Sequence, residues 1–323
     1  MAAVAARVVG WARHHAWPLG LFAFLIALLV FTKAVQPRYG VAGIQGLAIS
    51  VLPLALAAVA QAIVVIAGGI DLSIASIMAL TSVISAAMMK GQSEEFGVLV
   101  VVGVLVLGLA LGAINGTLIV LTRVPDIVVT LAMSFVWAGC ALLVLKSPGG
   151  GSAHWLKDIV AGSLVNEWIP KAAIVLIIVI GVVWLPIRRT TLGLTVYAIG
   201  SDRLAAFRSG VSVGRTRVLA YALMGLFSAL GGLSLTASTG IGTPVPGPYT
   251  LLSVAAVVLG GVSLSGGRGG LVGPILAVVI LSLIRTDMTF LNVNTNLAVV
   301  AQGIILIAVV MFGSLIQMRR SSA

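Results

Sequence analysis

The alternation of hydrophobic and polar positions divides the chain into long apolar stretches joined by short polar connections. Seven such stretches cover residues 18–35, 44–67, 72–89, 97–121, 126–146, 170–187 and 217–239. A helix needs about 20 apolar residues to cross the hydrocarbon core of a bilayer. The pattern therefore predicts seven membrane-spanning helices.

Three further apolar stretches follow, at residues 250–264, 271–284 and 297–316. The first two are short for a full crossing and fit tilted spans, broken helices or a re-entrant pair. The total is about ten spans, or about eight if the short pair turns back, and both counts place the two termini on the same side. The predicted fold is an all-α, polytopic helical membrane protein, with residues 1–323 forming one transmembrane domain.

Composition agrees with this prediction, because 60% of the residues are hydrophobic and only 8% are charged, whereas soluble domains carry about 25% charged residues. The net charge of +11 does not indicate nucleic-acid binding, since the basic residues lie in short connections without interleaved aromatic residues. Most of them fall on one side of the predicted topology, including six arginines in the loop 188–217. This bias predicts that both termini and that loop are cytoplasmic.

Glycines recur at every fourth position in the fourth stretch, at Gly108, Gly112 and Gly116. This spacing lets helix backbones approach closely in lipid, so we expect a helix-packing face. Asn115 beside them is open to two interpretations, a hydrogen bond within the packed helices or a position on a polar pathway, and packing is favoured.

The motif from Gly68 to Ser73 lies between two apolar stretches and contains Asp71. An ionisable residue there is a functional candidate, but Asp71 could also cap the following helix by accepting from its free N–H groups. We favour the cap, with Gly68 and Gly69 allowing a tight turn that is structural or part of a gate. A similar motif recurs at residues 260–265, which is compatible with two related halves.

Motifs for chemistry are missing from the sequence. Arg268 lies among glycines, but a Walker A loop needs Gly-Lys followed by Ser or Thr, and no lysine here follows a glycine. Histidine and cysteine are too few and too scattered for a metal site or a catalytic triad. We therefore expect that this chain does not itself hydrolyse ATP and holds no cofactor, and we expect Arg268 at the cytoplasmic face or in a water-filled cavity.

Several motifs together resemble the permeases of ribose- and xylose-type ABC importers. They span Ala67 to Ser73, Ile114 to Gly116, Val124 to Leu131, Val196 to Val211, Ala255 to Leu264 and Gly266 to Gly269. The resemblance implies a type II-like importer permease that works by alternating access in a bacterial inner membrane. Two departures are visible: Asp126-Ile127 stands where members usually have Pro-Phe, and Ser201-Asp202 where they have Gly-Asn.

The resemblance also implies partners. In that family the cytoplasmic loop with Ala-Ala and Ser-Gly elements docks on the ATPase subunit. The corresponding residues here are Arg203, Ala205, Ala206, Arg208, Ser209 and Gly210. An extracytoplasmic solute-binding protein would deliver a sugar-like solute, and a second permease subunit, identical or different, would complete the pathway within membrane lipid.

Other functions remain open at this point. A related permease could carry branched-chain amino acids or nucleosides, although the motif at residues 68–73 looks more like the sugar branch. A secondary transporter driven by an ion gradient is disfavoured, because few acidic residues lie in the spans. A membrane assembly or anchoring protein is the third alternative.

Overall fold

The computed structural model describes residues 16–294 and the isolated positions 297, 300, 303, 304, 307 and 311. The first helices are α1 Ala16–Val35, α2 Val41–Ile66, α3 Ile74–Met89, α4 Glu94–Thr122, α5 Asp126–Val144 and α6 His154–Val160. The next are α7 Lys171–Val179, a π-helical segment Ile180–Trp184, α8 Leu185–Arg189, α9 Thr191–Ser201, α10 Arg203–Arg208, α11 Val213–Thr239, α12 Tyr249–Leu259 and α13 Val272–Phe290. The described residues form no strand beyond isolated bridges, so the all-α prediction is confirmed.

Seven helices in the described part of the chain are long and apolar enough to cross a membrane: α1, α2, α4, α5, the continuous run Lys171–Arg189, α11 and α13. They are not the same seven that hydropathy predicts. The predicted span 72–89 is only the 16-residue α3, whereas the short stretch 271–284 extends into the 19-residue α13. The apolar window ended early because Arg285 and Asp287 lie in the last turns of α13, where the backbone remains helical.

The structure describes a helix in one of the two other late stretches, whereas the second lies largely outside the described residues. Within 250–264 the helix α12 ends at Leu259 after 11 residues, which is too short to cross the bilayer alone. The stretch 297–316 lies largely outside the described residues.

The core forms around α2 and α11, which are enclosed on most sides by other helices. From Val51 to Ile66 every residue of α2 is buried, as expected of a helix that is apolar all round. By contrast, α1 and α5 leave most of their apolar side chains exposed, and in the run Lys171–Arg189 most are exposed or only partly buried. These outer helices provide the surface that membrane lipid would cover.

The connections between helices gather at two opposite ends of the bundle. We call the end formed by residues 67–73, 123–125, 188–217 and 260–271 the Arg-rich end. Its segments contact one another, and Trp17 at the start of α1 joins them by donating from Nε1 to the Leu259 carbonyl oxygen at 2.8 Å.

The opposite end is formed mainly by the loop 145–170 and by 240–248. Gly149 and Gly242 exchange backbone hydrogen bonds of 3.0 and 2.8 Å, and the Glu94 carboxylate accepts from the His154 backbone N–H at 2.9 Å. The loop is thereby fastened across the ends of α3, α4 and α11.

Candidate functional site

The helix α2 ends in a tight turn made by Gly68 and Gly69. Gly68 has a φ of 79°, the left-handed conformation that glycine adopts without steric cost. Its N–H donates to the Val65 carbonyl oxygen at 2.9 Å, and the Gly69 N–H donates to the Val64 carbonyl oxygen at 3.0 Å. These two bonds define a Schellman motif.

The same motif ends α12 and gives the internal repeat a structural basis. Gly261 has a φ of 78°, its N–H donates to Val258, and the Val262 N–H donates to Val257. The equivalent of Gly68 is thus Gly261, whereas the sequence match aligns Gly68 with Gly260. The two alignments differ by one residue because the turn depends on which glycine adopts the left-handed conformation, and each motif contains two adjacent glycines.

Asp71 does not cap α3, so the favoured interpretation of this residue is wrong. The residue that precedes α3 is Ser73, and Asp71 Oδ1 accepts from the Ser73 backbone N–H and hydroxyl, each at 2.6 Å. The Ala75 N–H in the first turn of α3 donates instead to Thr250 Oγ1 at 3.1 Å. Asp71 stands too far ahead of the helix to reach its free N–H groups.

Asn115 completes a buried polar network around Asp71. Its Nδ2 donates to Ser73 Oγ at 2.8 Å and to Asp71 Oδ2 at 3.4 Å, and its Oδ1 accepts from Trp137 Nε1 at 3.2 Å. Asp71, Ser73 and Asn115 are fully buried. A buried network whose members are all bonded holds the turn, α4 and α5 in one arrangement.

The short helices α3 and α12 begin next to each other inside the bundle. Thr250, in the first turn of α12, is the residue that accepts from Ala75 in the first turn of α3. From this meeting point α12 runs to Gly260 at the Arg-rich end and α3 runs to the opposite end. Two helices that start at mid-depth are the arrangement that transporters use around their solute path, and we call this region the broken-helix centre.

Three chain segments meet at the Arg-rich end in what we call the glycine junction: Gly68, Gly200, Gly266 and Gly267. The Gly267 N–H donates to the Ile66 carbonyl oxygen at 2.9 Å. A Cβ on Gly200 would overlap that same oxygen and would stand 2.5 Å from the Gly267 nitrogen. Only a residue without a side chain allows α9, the end of α2 and the loop 260–271 to approach this closely.

Two side chains donate hydrogen bonds to backbone carbonyl oxygens at the glycine junction. Arg203 Nη2 donates to the Gly68 carbonyl oxygen at 2.8 Å, and Tyr197 Oη donates to the Gly269 carbonyl oxygen at 3.0 Å. Burial raises the pKa of the Tyr197 hydroxyl, although the nearby Arg188 guanidinium opposes that shift. The hydroxyl therefore remains a donor at neutral pH.

The predicted coupling residues lie on and just after α10, at the surface of the Arg-rich end. Asp202 caps this helix by accepting from the Leu204 and Ala205 N–H groups at 2.8 and 2.9 Å, so one departure from the family pattern supplies a good N-cap. Gly210, with a φ of 83°, ends it in another Schellman motif.

Exposure separates the residues of α10 into two groups. Ala206 is buried, whereas Arg203, Ala205, Arg208, Ser209 and Gly210 are exposed. Two apolar residues are exposed as well, Leu204 at 56% and Phe207 at 67%. Sequence reasoning overlooked this pair, although two large apolar residues in an otherwise basic loop are the signal that could have found it.

The other departure from the family pattern, at Asp126, places a carboxylate whose partners lie on another helix. Its carboxylate pairs with the Arg217 guanidinium and accepts from the Tyr221 hydroxyl at 2.7 Å. The pair lines an open cleft of about 660 Å³ at the Arg-rich end, together with Arg123 and Arg203. The charge that the sequence placed near a membrane boundary is thus an internal contact between α5 and α11.

The glycines at every fourth position face α11. A Cβ on Gly108 or Gly112 would overlap atoms of α11, and one on Gly116 would stand 2.9 Å from Val218 Cα. On α11, a Cβ on Gly225 would in turn overlap the Gly108 carbonyl oxygen. The two backbones therefore touch along this stripe, in agreement with small-residue packing in lipid.

Comparisons with known proteins agree over nearly the whole chain. Residues 43–310 match the family described as "Branched-chain amino acid transport system / permease component". The ribose import permease protein of Bacillus subtilis is 33% identical over 91% of both chains. The L-arabinose ABC transporter permease protein of Azospirillum brasilense is 31% identical over 90% of this chain and 85% of its own.

A third relative, the D-allose transport system permease protein of Escherichia coli, is 30% identical over 78% of this chain and 77% of its own. No solved structure matches the chain. The family model covers far more than half of the residues and includes all three Schellman motifs, the broken-helix centre and α10. The chain belongs to the family of permease components of the branched-chain amino acid transport system type.

Proposed function

We propose that the chain is the membrane-spanning permease subunit of an ABC importer that moves a sugar into the cytoplasm. The observation that carries the proposal is the near full-length similarity to permeases named for ribose, allose and arabinose. These names favour the sugar branch over amino acids, although the family description refers to amino acids. As a member of a family of transport components, the chain is a permease rather than an enzyme.

Orientation follows from charge. The described arginines of the loop 188–217, with Arg123 and Arg268, lie at one end of the bundle, and cytoplasmic ends are enriched in Lys and Arg. We therefore assign the Arg-rich end to the cytoplasm of a bacterium, with both termini on that side. The solute-binding protein would dock at the opposite end, on the segments 147–170 and 241–248.

The ATPase subunit would dock on α10. Leu204 and Phe207 offer apolar anchors, and Arg208 beside them can pair with an acidic residue of the partner. Buried aromatic and arginine side chains contribute most of the energy of such interfaces. Arg203 plays a different part, because its guanidinium is already bonded to Gly68.

Coupling then has a physical route. A displacement of α10 would move Arg203 and, through its hydrogen bond, the Gly68 turn. Because Gly200 at the end of α9 packs against Ile66 and Gly267, the loop 260–271 would move as well. The Gly68 turn leads directly to Asp71 and the start of α3. ATP-driven motion at the cytoplasmic end would thereby reach the broken-helix centre, as alternating access requires. The second permease subunit and membrane lipid would cover the exposed apolar faces of the outer helices.

Reconstitution tests the function. The permease should be placed in liposomes with its ATPase and binding protein, and uptake of labelled ribose, allose, arabinose and leucine compared with and without ATP. We expect uptake of at least one sugar that depends on ATP, and none of leucine. Uptake that needs no ATPase would favour a secondary transporter, and uptake of leucine alone would favour the amino-acid branch.

Docking is tested by Phe207→Ala. We expect at least a tenfold loss of ATPase subunit that co-purifies with the permease, because an exposed aromatic anchor is removed from the proposed interface. Leu194→Ala is the matched control, since Leu194 is equally exposed at 67% on the neighbouring helix α9. Equal loss from both variants, or loss from neither, would contradict docking at α10.

A further inference from the structure

A polar pocket of about 300 Å³ lies between α2, the start of α12 and the second half of α13. Its polar lining consists of Ser50, Tyr249, Ser282, Arg285, Thr286 and Thr289, and its remaining walls are apolar. It shares no lining residue with the cleft at the Arg-rich end. Along α13 it extends from the middle of the helix towards the end opposite the Arg-rich end.

The four polar residues of α13 form one face of that helix. Ser282, Arg285, Thr286 and Thr289 follow the spacing i, i+3, i+4 and i+7, which places them along a single stripe. Leu283 and Ile284 between them are buried in the bundle. A stripe of this kind is unfavourable against hydrocarbon, and a guanidinium within a span faces protein or a water-filled cavity. Ser50, Arg285 and Thr289 are exposed, and we therefore expect water rather than lipid in the pocket.

The strongest donors of the pocket are unused by the protein. Among the described residues, neither the Arg285 guanidinium nor the Tyr249 hydroxyl has a hydrogen-bond or ion-pair partner in the bundle. Asp287 does not neutralise Arg285, because its carboxylate is buried and the described residues contain no ion pair between the two. Thr286 and Thr289 use their protons on carbonyl oxygens of the preceding turn, so their oxygens remain free to accept.

The position of the pocket connects it to the broken-helix centre. Tyr249 is the first residue of α12, and its neighbour Thr250 accepts from Ala75 at the start of α3. A molecule beside Tyr249 would thus lie one residue from the contact that joins the two short helices.

We propose that this pocket holds the transported solute on its way through the permease. The solute is a polyhydroxylated ring whose adjacent oxygens accept from the Arg285 fork, whose hydroxyls donate to the threonine and serine oxygens, and whose apolar edge lies on Tyr249. A few convergent polar groups beside apolar walls are typical of small-molecule sites. That the bound molecule is cargo rests on the proposed function, whereas the aqueous character of the pocket does not.

Thiol labelling tests the aqueous character. In a Cys140→Ala background, which removes the single cysteine, Ser282→Cys in proteoliposomes should react with a charged, membrane-impermeant maleimide. Val102→Cys is the control: Val102 is 54% exposed and lies eight residues inside α4, as Ser282 lies eight residues inside the end of α13. Labelling of Ser282→Cys no faster than that of Val102→Cys would overturn the proposal.

Transport tests the occupant. With ribose, allose and arabinose as probes, Arg285→Gln and Tyr249→Ala should each lower the amount of sugar imported per ATP hydrolysed at least tenfold, with a raised KM. Arg38→Gln removes an exposed arginine from the same end of the bundle outside the pocket and should leave both quantities unchanged. Wild-type KM and wild-type import per ATP in both pocket variants would overturn the proposal. Failure of the unmodified protein to import any sugar would instead reject the proposed function, and the labelling result would still decide the pocket.

Discussion

Gly200→Ala is expected to abolish ATP-coupled uptake and to lower the thermal stability of the purified permease. The added Cβ would overlap the Ile66 carbonyl oxygen and approach the Gly267 nitrogen to 2.5 Å. Both are backbone atoms, so no side-chain rotation can relieve the overlap, and the three segments of the glycine junction must move apart. Overpacking of this kind costs about 1–3 kcal/mol, occasionally more. The Arg203 to Gly68 bond depends on the same approach.

Tryptophan fluorescence during heating measures the stability, and sugar uptake with ATPase stimulation measures the coupling. Gly139→Ala is the control, because a Cβ on Gly139, also within a helix, has no neighbour within 4 Å. We expect this control to behave as the unmodified protein does. A Gly200→Ala protein with normal melting and normal uptake would contradict this expectation. The junction would then tolerate the added methyl group, and its close packing would not be needed to couple α10 to transport.

Asp126→Ala is expected to destabilise the permease by about 3 kcal/mol, at the lower end of the range for breaking a buried pair because the cleft admits water. The loss leaves the Arg217 guanidinium without its carboxylate and the buried Tyr221 hydroxyl without its acceptor. Removal of both charges in Asp126→Ala with Arg217→Ala should recover part of the loss, since no unpaired charge remains.

A double-mutant cycle from denaturant titrations measures this coupling. Asp158→Ala, which removes an exposed carboxylate at the opposite end, should leave stability unchanged. Additive losses in the cycle would mean that Asp126 and Arg217 act independently, contrary to the contact between α5 and α11.

The late spans show why hydropathy predicted some helices and not others. A window average detects α2 or α4 because most residues of a span must be apolar when lipid or apolar helices surround it. It ended α13 early, since Arg285 and Asp287 are polar, yet one lines a pocket and the other is buried, and neither breaks the helix. The ends of helices beside a polar cavity cannot be read from hydropathy.

The turn at Asp71 shows a similar division. The sequence predicted a tight, charged turn at Gly68, Gly69 and Asp71, because glycines and an acidic residue interrupt two apolar stretches there. It assigned the carboxylate to the nearest helix, which was wrong, since the partner that completes its network is Asn115 on α4, 44 positions away. Local spacing cannot reveal a partner that only packing brings close.

By itself, then, the sequence determined that this is a polytopic helical membrane protein with a stripe of regularly spaced glycines on one helix and a long basic loop. Those properties follow from the cost of exposing polar groups to lipid and from residue spacing along one helix. Only the tertiary structure decided that Arg203 reaches Gly68 across 135 positions, that Asp126 pairs with Arg217, and that six polar residues of three helices share one pocket. Each of these contacts joins segments that are distant in the chain, and their closeness comes from how the helices pack.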